Sequence, residues 1–277
     1  MKELGWNSML DQAMKLREIV ETQARVTLSG MPPHRIAIMS GKGGVGKSNL
    51  ALNMGYVMAS KGARVLLIDG NINLSNLDIL TGSSPVNRLV DIVDRNTNLS
   101  EAMTELRENL YLIAGSADGT YRRLGSGEIA SLFNEISNFE PRFNYVIVDT
   151  AAGIVQESIS FGILCDDVYI VSTPEPTAVM DAYVLVKALK RINSGSSLKL
   201  LINNVVNAET AREVKEKFDI VTMRFLNTKI DYAGCVLADE AVVRAVNVQT
   251  PLVIEFPDSK AAKAIEEITS KILERGR

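Results

Sequence analysis

"MSGKGGVGKSNLALNMG", residues 39–55, carries Gly41, Gly46, Lys47 and Ser48 at the G-x-x-x-x-G-K-S spacing of a phosphate-binding loop. Gly43, Gly44 and Val45 complete the turn. The apolar run "RIAIMS" leads into the loop as a strand, and "SNLALNMGYVMASKG" leaves it as a helix closed by Gly62. That strand, loop and helix context gives the motif its meaning: amides at the helix start face a phosphate chain, and the helix dipole adds to the attraction. In such a loop Lys47 reaches the β and γ phosphates, and the Ser48 hydroxyl ligates Mg²⁺. Lys42 is surplus to the pattern.

Outward from the loop, "ARVLLID", "NLYLIAG", "NYVIVDT", "DDVYIVST" and "SLKLLINN" alternate with helical patterns. Short, near-continuous apolar runs suit parallel strands covered on both faces, with helices as crossovers. The fold class is therefore α/β: a doubly wound, mostly parallel sheet with helices on both faces. Beyond residue 205 the pattern predicts helices at "AETAREVKEKF" and "DEAVVRAV", a short extended piece near "TPLVI", and a last helix "SKAAKAIEEITSKIL". Asp239 and Glu240 are placed to cap the second of these.

The N-terminus reads separately. In "WNSMLDQAMKLREIV", Trp6, Met9 or Leu10, Ala13, Leu16 and Val20 fall on one face of a helix, with Ser8 and Asp11 as a capping box. "TLSGMPPHR" then breaks the helix, since proline removes a donor and biases the residue before it to extended backbone. Two parts result: an arm and linker over 1–34, and the main domain over 35–277.

A net charge of −3 gives no global attraction to nucleic acid or anionic lipid. Cys165 and Cys235 lie far apart without metal-type spacing and read as buried, reduced thiols. The N-terminus lacks a secretory pattern, and no run approaches the roughly 18 apolar residues a spanning helix needs. A cytoplasmic protein is expected.

Two acids complete the loop's surroundings. "YVIVDTAAG" ends a buried strand with Asp149, suited to holding Mg²⁺ through water, and its Gly153 suits a segment that moves with the γ phosphate. "VLLIDGN" places Asp69 at a second strand end, where an acid alone is as often only a helix cap.

"SGKGGVGKS" with the extra Lys42, "VLLIDGNINLSNLD" and "VDTAAGI" together resemble the deviant-Walker ATPases of the MinD/ParA class over residues 36–273. "STPEPTAVMDAYVLVKAL" and the early "DQAMKLR" resemble one branch of it, the FlhG/YlxH/FleN regulators of flagellar number and placement. The resemblance implies an ATPase cycling between ATP and ADP with Mg²⁺, held by Gly41, Lys42, Gly43, Gly44, Val45, Gly46, Lys47, Ser48 and Asn49. Ser48, Asp69 and Asp149 are its implied metal residues, Lys42, Lys47, Asp69 and position 71 its catalytic ones. The lysine matching Lys42 reaches across a two-fold interface to the partner copy's nucleotide, so ATP joins two copies. Burying several phosphate charges demands such compensation. Asn203, ending "LKLLIN", matches the class's base-contacting asparagine, and Pro174 would shape the loop beside the nucleotide.

Position 71 departs from the class. An aspartate that orients the attacking water is usual there, and this chain has Asn71, which can hold a water but cannot accept its proton. Slow hydrolysis is expected.

In the branch, a DQAxxLR helix docks on a flagellar signal-recognition-type, FlhF-like GTPase and stimulates it; Asp11, Gln12, Ala13, Leu16 and Arg17 match. Flagellar switch or transcription-regulator proteins are further implied partners, and no direct nucleic-acid contact is. Branch members also carry a terminal helix with aromatic and basic residues for the membrane surface. Here Ala264, Ile265, Ile268, Ile272 and Leu273 form an aromatic-free face beside Glu266 and Glu267, which suits packing on the domain. Membrane attachment at the inner face of the cell membrane is thus in question. Competing readings are a division-site MinD, a chromosome-positioning ParA, and a nucleotide-gated binding module with little hydrolysis.

Overall fold

The computed structural model describes residues 32–116, 122–193, 195 and 197–275. The arm helix expected near the N-terminus, with Asp11, Gln12, Ala13, Leu16 and Arg17, lies outside them.

Among the described residues, eight strands form one sheet in the order β3-β4-β2-β5-β1-β6-β7-β8. They are β1 (His34–Met39), β2 (Val65–Gly70), β3 (Thr104–Arg107), β4 (Leu110–Ile113), β5 (Tyr145–Thr150), β6 (Asp167–Ser172), β7 (Ser197–Val205) and β8 (Asp231–Leu237). Only β3 runs antiparallel, against β4; the other pairs are parallel. The six strands anticipated from their apolar runs are all present. β2 and β5 are buried at every position, as a sheet covered on both faces requires.

The helices are α1 (Lys47–Ser60), α2 (Leu77–Thr81), α3 (Leu89–Val93), α4 (Leu99–Ala102), α5 (Ser126–Ser137), α6 (Gln156–Leu164), α7 (Pro176–Ile192), α8 (Ala208–Leu226), α9 (Glu240–Asn247), α10 (Leu252–Glu255) and α11 (Lys260–Arg275). One core holds Phe133, Phe161, Leu185 and Phe218 from α5 to α8. The other holds Leu50 and Met54 of α1 with Ala261, Ile265, Ile268 and Ile272 of α11. Since α11 spends its apolar face on α1 and β8, it is the last helix of the domain, as its composition suggests.

Three local readings are corrected. "TPLVI" is not extended: Pro251 starts a single helical turn, its carbonyl accepting from Ile254 and Glu255 N–H at 3.0 Å each, while the buried Asn53 Oδ1 accepts from Val253 N–H at 3.0 Å. Proline's fixed φ favours such a start. β3 and β8 are edge strands that the apolar runs did not reveal: β3 is Thr-Glu-Leu-Arg with no buried residue, and β8 opens on the exposed Asp231 and Tyr232 and carries Gly234 in its middle. Cys165 is buried as expected but Cys235 only half so, and both thiols are free. Asp239 does cap α9, its carboxylate accepting from Ala241 N–H at 2.9 Å, and it also takes Ala261 N–H at the start of α11 at 3.2 Å.

Candidate functional site: a phosphate loop flanked by two buried carboxylates

The loop between β1 and α1 is shaped by sterics. A Cβ on Gly41 would lie 2.3 Å from the Asp181 backbone, so glycine there lets α7 pack directly on the loop. Gly44 and Gly46 adopt φ of 77° and 92°, the left-handed region that glycine enters without strain. The Ser40 hydroxyl donates to the Lys42 carbonyl at 2.7 Å, and Gly153 N–H donates to the Ser40 carbonyl at 2.9 Å, tying the segment after β5 to the loop. Val45 is buried, and the Asn49 carbonyl, in the first turn of α1, accepts from Asn53 Nδ2 at 2.7 Å.

The two lysines have opposite surroundings. Lys47, first in α1, is only 8% exposed; burial lowers its pKa, and the Asp149 charge works the other way. Lys42 is half-exposed and its ammonium rests on the Glu175 carboxylate, with Thr177 Oγ1 at 3.2 Å. Neither Glu175 nor Thr177 was singled out from sequence. The signal lay in "STPEP", where an acid between prolines opens α7.

Asp69 and Asp149 end neighbouring strands and are paired in register across β2 and β5. Asp69 is buried and its carboxylate is saturated: Oδ1 accepts from Asn71 N–H at 3.1 Å, and Oδ2 from the Ser75 hydroxyl at 2.8 Å and from Asn76 and Leu77 N–H at 2.8 and 3.1 Å. Burial raises its pKa while these donors lower it. It holds the 71–77 segment in the manner of a helix cap. Asp149 has no such donors. Both its oxygens are buried without a hydrogen-bond partner, and burial together with the Asp69 charge pushes its pKa up to about 7, against the pull of the Ser48 hydroxyl and the Lys47 charge. An uncompensated pair of buried oxygens beside a hydroxyl and an ammonium is a demand for a cation. The oxygen donors Ser48 and Asp149 fit Mg²⁺.

Asn71 is committed to its own segment, with Nδ2 donating to the Leu74 carbonyl at 2.6 Å. Asn203, at the end of β7, reaches the loop itself: Nδ2 donates to the Val45 carbonyl at 2.8 Å. The structure thus brings together Gly41 to Asn49, Asp69, Asn71, Asp149 and Asn203.

Residues 34–202 match a family model described as an AAA domain. The antiactivator FleN of Pseudomonas aeruginosa is 34% identical over 249 residues, covering 87% of this chain and 86% of that protein. The chain belongs to the FleN/YlxH branch of the MinD/ParA class. The flagellum site-determining protein YlxH of Helicobacter pylori is 30% identical, covering 87% of the chain and 82% of its own length. The fold is shared with solved structures: the septum site-determining protein MinD of Pyrococcus horikoshii, solved with Mg-ADP, superposes with a TM-score of 0.70 at 22% identity, over 87% of this chain and 96% of that one. Among the described residues, no helix of this FleN/YlxH-branch chain is long and apolar enough to cross a membrane.

Proposed function

We propose that this chain is a MinD-like ATPase whose ATP-bound homodimer regulates flagellar number and placement. The observation that carries the reading is the division of labour between the lysines. Lys47 is buried inside the loop, whereas Lys42 stands half-exposed at its rim, held by a surface carboxylate from which it can swing to a second copy. An exposed pair of this kind is worth at most about 1 kcal/mol, so releasing it costs little.

In this reading the loop amides from Gly43 to Ser48 hold the phosphates, Lys47 meets the β and γ oxygens, and Ser48 with Asp149 holds Mg²⁺. When bound, that ion neutralises phosphate charge and orients the terminal phosphoryl group. Asp69 sets the 71–77 segment that lines the γ side, and Asn71 positions water without taking its proton. Hydrolysis is then slow and the dimer long-lived. The engagement of the Asn71 amide with Leu74 favours a second reading, a nucleotide-gated module that barely turns over. The arm, through Asp11, Gln12, Leu16 and Arg17, contacts and stimulates a signal-recognition-type flagellar GTPase; a glutamine and an arginine on one helix are the groups that orient water and stabilise phosphoryl charge. This arm and the acidic balance weigh against division-site MinD and DNA-binding ParA roles. The protein acts in the cytoplasm, with any membrane contact peripheral.

Light scattering with ADP, ATP and a non-hydrolysable analogue, beside phosphate release, tests the proposal. A dimer with ATP and the analogue, a monomer with ADP and measurable release support the ATPase. Dimerisation without release selects the module, and a monomer throughout contradicts both.

A further inference from the structure

The Val45 carbonyl and the Gly46 N–H belong to one peptide plane, in which a trans amide points them in opposite directions. That plane joins Val45 to Gly46, whose φ of 92° lies in the left-handed region. On the Gly46 side no Cβ restrains the rotation, so the backbone there has little reason of its own to hold one orientation. The restraint comes from outside the loop. Asn203 Nδ2 donates to the Val45 carbonyl at 2.8 Å across 158 residues of sequence, and since a carbonyl only accepts, the amide's orientation follows. The contact is close: a Cβ on Gly46 would lie 2.3 Å from the same Nδ2, so only glycine admits the amide here. Asn203 is held within β7, which pairs with β6 up to Ile202 and with β8 on both sides of Asn203, at Ile202 and Val205, the register shifting between them.

We infer that Asn203 is a positioning residue for phosphate binding: by anchoring the Val45 carbonyl it turns the Gly46 N–H into the phosphate cradle. Accepting this hydrogen bond also polarises the peptide and makes the Gly46 N–H a better donor. Asn203 keeps its Oδ1 and a second N–H, which leaves it able to meet a base as the class resemblance implies. One side chain then joins the base seat to the phosphate cradle. The inference rests on the nucleotide-binding reading above.

A ligand without a base separates the two roles. Mg-tripolyphosphate and Mg-ATP are titrated calorimetrically into wild type and Asn203→Ala, with thermal midpoints measured without ligand and the Gly46 amide followed by ¹⁵N–¹H correlation spectra. Loss of one neutral hydrogen bond predicts a roughly two- to tenfold weaker affinity for tripolyphosphate, a ligand-free midpoint lowered by no more than a few degrees and a shifted Gly46 resonance. Unchanged tripolyphosphate affinity, with only ATP binding weakened, would overturn the inference and leave Asn203 a base contact alone. If the alanine variant does not fold, Asn203→Ser is read by the same titrations. Wild type that binds neither ligand contradicts the nucleotide reading itself, a failure distinct from unaltered tripolyphosphate binding in the variant.

Discussion

Asp69 and Asp149 face each other in register at the ends of β2 and β5, and the protein treats the two carboxylates oppositely. Four donors satisfy Asp69, and none satisfies Asp149. Burial raises the pKa of both, but the donors on Asp69 work against that rise, and Asp149, pushed up to about 7, keeps a proton until a cation or a pH above that value removes it.

This has a stability consequence in the nucleotide-free protein. The folded-state pKa of Asp149 is raised, from an ordinary value near 4 to about 7, so the native state binds more protons than the unfolded chain between those limits. Stability contributed by this group falls as pH rises from about 4 to about 7, and the penalty is complete above 7. It amounts to at most about 4 kcal/mol at 1.36 kcal/mol per unit. Asp149→Asn should remove it, so the variant should melt higher than wild type at pH 8 and the gap should close toward pH 4. Denaturant melts across that range check the sign; a gap that widens toward acid would contradict the assignment.

Restoring the carboxylate at position 71 should quicken turnover. Asn71→Asp supplies a group that can orient water and accept a proton, worth at least about tenfold. Phosphate release under saturating ATP measures it, and an unaltered rate would strip Asn71 of mechanistic weight.

Asp239 staples two helix starts with one carboxylate, Ala241 in α9 and Ala261 in α11. Asp239→Ala should cost about 1–2 kcal/mol and lower the melting midpoint by roughly 2–8 °C. Calorimetry reads the loss directly, and nucleotide affinity should move little.

If the proposed arm role holds, a peptide of residues 1–25 should accelerate GTP hydrolysis by a signal-recognition-type flagellar GTPase, and Gln12→Ala in the peptide should abolish the effect. A peptide without effect on that rate would remove the activator role from the arm.

The phosphate loop was legible because its signal is local: glycine spacing, a strand before and a helix after. The central strands were legible because burial on both faces leaves an apolar run. β3 and β8 were not, since β3 is largely polar and unburied and β8 interrupts its apolar residues with an exposed start and Gly234. α10 was misread because Leu252–Glu255 has the composition of a strand; the turn begins at Pro251, and its Val253 N–H is satisfied by Asn53, 200 residues away in the chain. The same limit hid the tie between Asn203 and Val45 and the rest of Lys42 on Glu175, for spacing in sequence does not report which side chains meet across a sheet end.

The account depends most on Lys42. Sizing by light scattering of wild type and Lys42→Ala, each saturated with a non-hydrolysable ATP analogue, tests it directly. A wild-type dimer and a Lys42→Ala monomer that still binds the analogue is the predicted result; a variant that dimerises as tightly as wild type, or a wild type that stays monomeric, would contradict it.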